Sequence, residues 1–147
     1  LCVQADPPAA GGLPWPLGIL LRRLTMQRNW EIIREILLKL EESNKANPFI
    51  NANSFNGFDE QEVAYNMRLL SEAGYIEAKI QNLNDGSGRI GIALATKMTN
   101  SGHNLLDTIR NETVWRKIKD KFSTSGIDMT FDLVITAGKK IMEAMLS

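Results

Sequence analysis

One histidine, one cysteine and scattered carboxylates are what this chain offers to nucleophilic or metal chemistry. A Ser-His or Cys-His pair needs an imidazole base, and His103 is the single candidate. The single thiol, Cys2, lies a hundred residues away in a segment of different character. A zinc site takes three or four nitrogen or sulfur ligands at characteristic spacing, and no such set is present. His103 follows Gly102 near a helix start, where packing or a bond to nearby backbone is expected of its ring. The run Gly86-Ser87-Gly88 lacks the Gly-Lys-Ser/Thr that completes a phosphate loop. Glu41 with Glu42 and Asp59 with Glu60 are expected as a solvated helix end and a helix cap. The expectation is a protein with no catalytic residues, no metal and no cofactor.

Chemistry of recognition remains, and it depends on the elements that present it. The chain has 147 residues, with 17 basic and 17 acidic side chains. That length suits one domain with a core of its own, without disulfide or metal staples. The neutral balance gives no overall nucleic-acid footprint, so any basic patch must be local. A single cysteine allows no intrachain disulfide, which fits a reducing, cytoplasmic compartment. The apolar stretch at 17–24 is short and broken by Arg22 and Arg23, so no membrane span is expected.

Residues 1–25 are interrupted by Pro7, Pro8, Gly11, Gly12, Pro14, Pro16 and Gly18. They are expected to be a non-native or disordered extension, with residues 26–147 forming the folded domain. Asn29 is placed to cap a helix from Trp30 to Glu42, with Trp30, Ile33, Ile36, Leu37 and Leu40 on one stripe. Residues 48–57 are Asn-rich, with a short strand expected at Phe49 and Ile50. Asp59 and Glu62 then form a capping-box pair flanked by Phe58 and Val63, opening a second helix that Gly74 stops. Ile76, Ala78 and Ile80 alternate with polar residues. Ile90, Ile92 and Leu94 alternate with Gly91, Ala93 and Ala95, so a hairpin with one buried face is expected. Thr99 is placed to cap a further helix carrying Leu105, Leu106 and Ile109, and Asn111 to cap or kink its continuation, which carries Val114, Trp115, Ile118 and Phe122. Thr130 opens a last helix with Val134, Ala137, Ile141 and Met145 on one face.

The order helix, helix, hairpin, helix predicts an α+β fold on a winged-helix-like plan, with the hairpin as wing and C-terminal helices beyond it. The passage at 62–76, with Leu69-Leu70, Gly74, Tyr75 and Ile76, looks like the run from recognition helix into wing. A full winged helix has another helix between the first and the recognition helix. Here only residues 44–58 are available for it.

From Met26 onward the chain resembles the bacterial and phage proteins grouped as domain of unknown function 2513. The matching passages are residues 26–34, 59–78, 98–107 and 109–115, including Gly102-His103 and Trp115. The resemblance implies a phage, prophage or bacterial cytoplasmic origin and carries no established activity. Family members usually have His where this chain has Asn66.

Two functions follow as expectations. In the first, the second helix enters the DNA major groove as part of a transcription-regulator-like domain. Gln61 and Arg68 then read base edges beside Tyr65, while Lys79 and Arg89 touch phosphate. In the second, the scaffold binds a protein. Glu60, Glu62 and Glu72 repel phosphate, and Tyr65 with Leu69 offers an apolar face. The basic residues Arg110, Arg116, Lys117, Lys119 and Lys121 sit on the third helical stretch, interspersed with acids. The last helix offers a face for self-association.

Overall fold

The computed structural model describes residues 26–146. The expectations for residues 1–25 lie outside the described residues. Among the described residues, five helices accompany a three-stranded antiparallel sheet. They are α1 (Trp30–Glu42), α2 (Glu60–Glu72), α3 (Asn100–Ile109), α4 (Glu112–Ser125) and α5 (Phe131–Leu146). The strands are β1 (Ile50–Asn51), β2 (Ile76–Asn82) and β3 (Ile90–Met98), in the spatial order β1-β3-β2. Between α1 and α2 the described chain holds β1 and one 3-10 turn at Ala52–Ser54, with no α-helix. This is the α+β layout expected, and residues 44–58 hold that turn where a full winged helix would have a further helix.

The helix starts follow from side-chain caps. Asn29 accepts hydrogen bonds from the N–H groups of Glu31 and Ile32, and Thr99 from Gly102. Asn111 accepts from Thr113 and Val114, which makes α4 a separate helix. Thr130 Oγ accepts from Leu133 N at the start of α5. Each satisfies amide donors that the first helical turn leaves unpaired. The capping box at α2 is only half formed. Asp59 accepts from Glu62 N at 3.1 Å, but the Glu62 carboxylate accepts from Asn29 Nδ2 at 3.4 Å. A donor across the fold has taken the place of the local Asp59 N–H.

The core runs from α1 through α2 and the sheet into α3 and α4. Ile33, Ile36, Leu37, Val63, Met67, Leu70, Leu105, Leu106, Ile109 and Ile118 are fully buried. Ile32 joins them, although it lies off the stripe read from the sequence. Phe49 is 64% exposed, and the first strand pairs Ile50 with Ala95 and Asn51 with Leu94.

The expected alternation of β3 is wrong. Ile90 is buried, but Ile92 is 45% exposed, while Ala93 and Ala95 are buried instead. Gln81 pairs with Ile92 and Asn82 with Ile90, so Gly91 is an extra residue. That bulge flips the side-chain phase, because one inserted residue reverses every later side chain. A second irregularity near Thr96 restores it, and Met98 packs against the core.

The face expected of α5 also shifts. Val134 and Gly138 are buried, Ile135, Ile141 and Met142 pack against the core, and Met145 is exposed. A methyl at Gly138 would overlap the Thr108 methyl, so this glycine lets α5 approach α3 closely.

Arg34, on α1, holds the corner between α3 and α4. Its Nε donates to Ile109 O at 2.9 Å and its Nη2 to Arg110 O at 2.8 Å. Nη2 also lies 2.6 Å from Glu112 Oε1, and the side chain is 11% exposed. Arg34→Ala is expected to cost about 2–3 kcal/mol in chemical denaturation, because it strands carbonyls that had a charged donor. Arg34→Lys should recover little, since one ammonium lacks the fork that spans both carbonyls. A loss below about 0.5 kcal/mol, the range of ordinary surface changes, would show that the corner holds without it.

Candidate nucleic-acid interface

Helix α2 buries Val63, Ala64, Met67 and Leu70 against the sheet and α1. Gln61, Tyr65 and Arg68 fall together on a flank of that face, at i, i+4 and i+7. All three are half-buried. The hairpin turn beside them is built locally. Asp85 Oδ1 accepts from both Ser87 N and Ser87 Oγ, and Ser87 Oγ accepts from Arg89 N. The Ser87 hydroxyl bond, then its N–H, hold the Asp85 carboxyl below the usual carboxylate range. Gly86 and Gly88 supply the positive φ that this turn needs.

Gln61 joins the two elements. Its Nε2 donates to Ile90 O and its Oε1 accepts from Ile90 N, each at 2.9 Å. The amide thus pairs with β3 as another strand residue would. A cleft of about 360 Å³ results, lined by Met26, Gln61, Tyr65, Arg68, Arg89 and Ile90. The Arg68 guanidinium lies 5.1 Å from the centroid of the Tyr65 ring. Among the described residues, neither Arg68 nor Arg89 forms an ion pair.

The structure therefore brings four of the five expected residues together: Gln61, Tyr65, Arg68 and Arg89. Lys79 is not with them. It pairs across from Leu94 on the outer face of the sheet, where its ammonium lies 5.6 Å from the Phe49 ring centroid. Alternation along β2 puts Lys79 opposite the core-facing Ala78 and Ile80, away from α2.

The acids of α2 stay outside the cleft lining. Glu60 is exposed in the first turn and Glu72 at the far end, while Glu62 faces Asn29. Met26 was not anticipated in the lining. The backbone of residues 27 and 29 is held by Asn66, whose side chain is fully buried. Asn66 Oδ1 accepts from Asn29 N, and Nδ2 donates to Gln27 O and Glu62 O. Asn66 is thus a structural tie.

The other basic cluster is partly neutralised. Arg110 pairs with Glu41 and Asp107, and Lys119 with Glu31. Arg116, Lys117 and Lys121 are exposed without an ion pair among the described residues. His103 is exposed, contrary to the packing expected of it. Tyr75, in a separate cleft between α3 and α5, has its phenol pushed up by burial and then by Asp132. Among the described residues, no helix is long and apolar enough to cross a membrane, and no His, Cys, Asp and Glu cluster could hold a metal.

A family model described as "Hypothetical protein (DUF2513)" matches residues 27–128. The chain belongs to this family. An uncharacterized protein from Haemophilus influenzae is 39% identical over 123 residues, covering 83% of this chain and all of the relative. No solved structure matches the chain. The DUF2513 match spans α1 through α4 and so contains every residue of the α2–hairpin cleft from Gln61 onward.

Proposed function

We propose that this DUF2513 protein is a non-enzymatic, regulator-like DNA-binding protein whose contact surface is the cleft between α2 and the hairpin. The observation that carries the proposal is the meeting of Arg68 and Arg89 beside Tyr65, both guanidiniums without ion pairs among the described residues. The acids of α2 stay out of the cleft lining, while Asp85, in the same turn, acts electrostatically on Arg89. Net neutrality does not oppose this, because the positive charge is needed only where the backbone of DNA passes.

Titration of a fluorescent duplex at low and moderate salt tests the proposal. Arg68→Ala and Arg89→Ala together are expected to weaken binding by on the order of a hundredfold at about 50 mM salt, as loss of two phosphate contacts would. Binding that survives both changes would move the surface to Arg116, Lys117 and Lys121. No binding to any duplex at low salt would end the proposal.

A protein-binding role draws on a different place from the one expected. Leu69 is half-buried and the Tyr65 ring lies under Arg68, so α2 presents little apolar surface. Phe49, Leu83 and Ile92 are exposed near the hairpin and first strand instead. Self-association through α5 has Leu133 in its first turn and Met145 and Leu146 in its last to offer, since its middle packs on α3 and α4.

A further inference from the structure

Resting on the DNA-binding proposal, the geometry points to a grip on the phosphodiester backbone, in which α2 does not enter the major groove to read bases. Direct readout needs a free amide or guanidinium edge that can match a base in two bonds. The outward side of α2 presents no free amide, and its one guanidinium, that of Arg68, lies against an aromatic ring. The Gln61 amide is paired with both backbone atoms of Ile90. Asn66 is buried, and its three hydrogen bonds tie the chain before α1 to α2. Arg68 is half-buried, with its guanidinium over the Tyr65 ring. Glu60 and Glu72 are the exposed side chains at the two ends, and a groove flanked by phosphates repels both.

Width gives an independent argument. A helix with its side chains measures about 10–12 Å, and the major groove is about 12 Å wide. Here β3 is hydrogen-bonded to the first turn of α2 through Gln61, so the helix cannot enter that groove without the hairpin beside it. The two elements instead form one broad surface with the cleft between them. Arg89, exposed at the turn, and Arg68, at the wall, are placed to take neighbouring phosphate oxygens along a strand. Tyr65 backs Arg68.

The experiment compares two duplexes of equal length and unrelated sequence, across salt, with the full chain. The expected affinities agree within about threefold, whereas a base reader loses about tenfold or more per changed base pair. Two phosphate contacts give a slope of log affinity on log salt near about −1.8, and each Arg→Ala change should reduce its magnitude by about 0.9. Arg68→Lys and Arg89→Lys should keep affinity within about threefold, since a phosphate accepts a point charge and a bidentate base contact does not. A strong preference for one duplex that disappears in Arg68→Lys would overturn the backbone grip and leave DNA binding standing. Absence of binding to both duplexes at low salt would instead defeat the underlying proposal. A variant's fold is checked by circular dichroism before its affinity is compared.

Discussion

Trp115→Ala is expected to lower stability by about 3–5 kcal/mol, the usual penalty for truncating a buried tryptophan. The side chain is 1% exposed. Its ring centroid lies 5.9 Å from that of Trp30, which itself packs edge-on to Phe131 at 5.3 Å. These contacts link α4 to α1 and, through Trp30, to the start of α5, so the packing lost with alanine is shared between helices. The indole Nε1 of Trp115 has no acceptor among the described residues. Its contribution is therefore one of packing, offset by a buried donor that costs about 1–3 kcal/mol to leave unpaired. Trp115→Phe removes that donor together with part of the volume and should cost much less than alanine. Equilibrium unfolding in urea, read as a change in midpoint at constant slope, measures both. A near-neutral alanine variant would show that the core lies elsewhere. Equal losses for both variants would show that the indole N–H has a partner.

Gly102→Ala is expected to destabilise by about 3 kcal/mol or more, at the upper end of overpacking penalties. Helix propensity alone predicts the opposite sign, because alanine is favoured over glycine inside a helix by about 1 kcal/mol. The tertiary contact decides. A methyl at Gly102 would overlap the Tyr75 carbonyl oxygen and crowd the Met98 side chain. That carbonyl is not free to move, since it accepts from Thr99 N at 3.0 Å. Thr99 Oγ1 also donates to Gly74 O and accepts from Gly102 N. The first turn of α3 is thus stitched to the end of α2, and relief of the overlap must break one of these bonds. Ser101→Ala, at the exposed neighbouring position, should change stability by no more than about 0.5 kcal/mol. Thermal or denaturant unfolding of the pair gives the answer. Stabilisation by Gly102→Ala would mean that α3 stands off Tyr75.

Much of this fold is legible in the order of residues because its cause is local. Asn29, Asp59, Thr99 and Asn111 each bond amides two or three positions ahead, so helix starts need no knowledge of the rest of the chain. The burial of Trp115, Ile118 and Met67 follows from helical spacing, and the passages around Gly102-His103 and Trp115 carry the family. Tyr65 and Arg68 share a side of α2 for the same reason of spacing.

Tertiary structure decided whatever depends on a partner far along the chain. The bulge at Gly91 is a property of the pairing between β2 and β3, and it sent Ile92 outward where strict alternation would bury it. Glu62 is three residues from Asp59, yet its carboxylate found Asn29, 33 positions away. Arg34 carries no motif of its own, and its carbonyl partners lie 75 and 76 positions along the chain. Gln61 has the composition of a base reader, but Ile90, 29 positions away, pairs with its amide. Lys79 and Arg89 both belong to the hairpin, and the pleat put Lys79 on the face away from α2 while the turn held Arg89 beside it. Composition and spacing specify which groups a segment can offer. Which of them stay free is decided by the hydrogen bonds and contacts that folding makes between distant segments, because a buried polar group takes whatever partner the packing brings within reach.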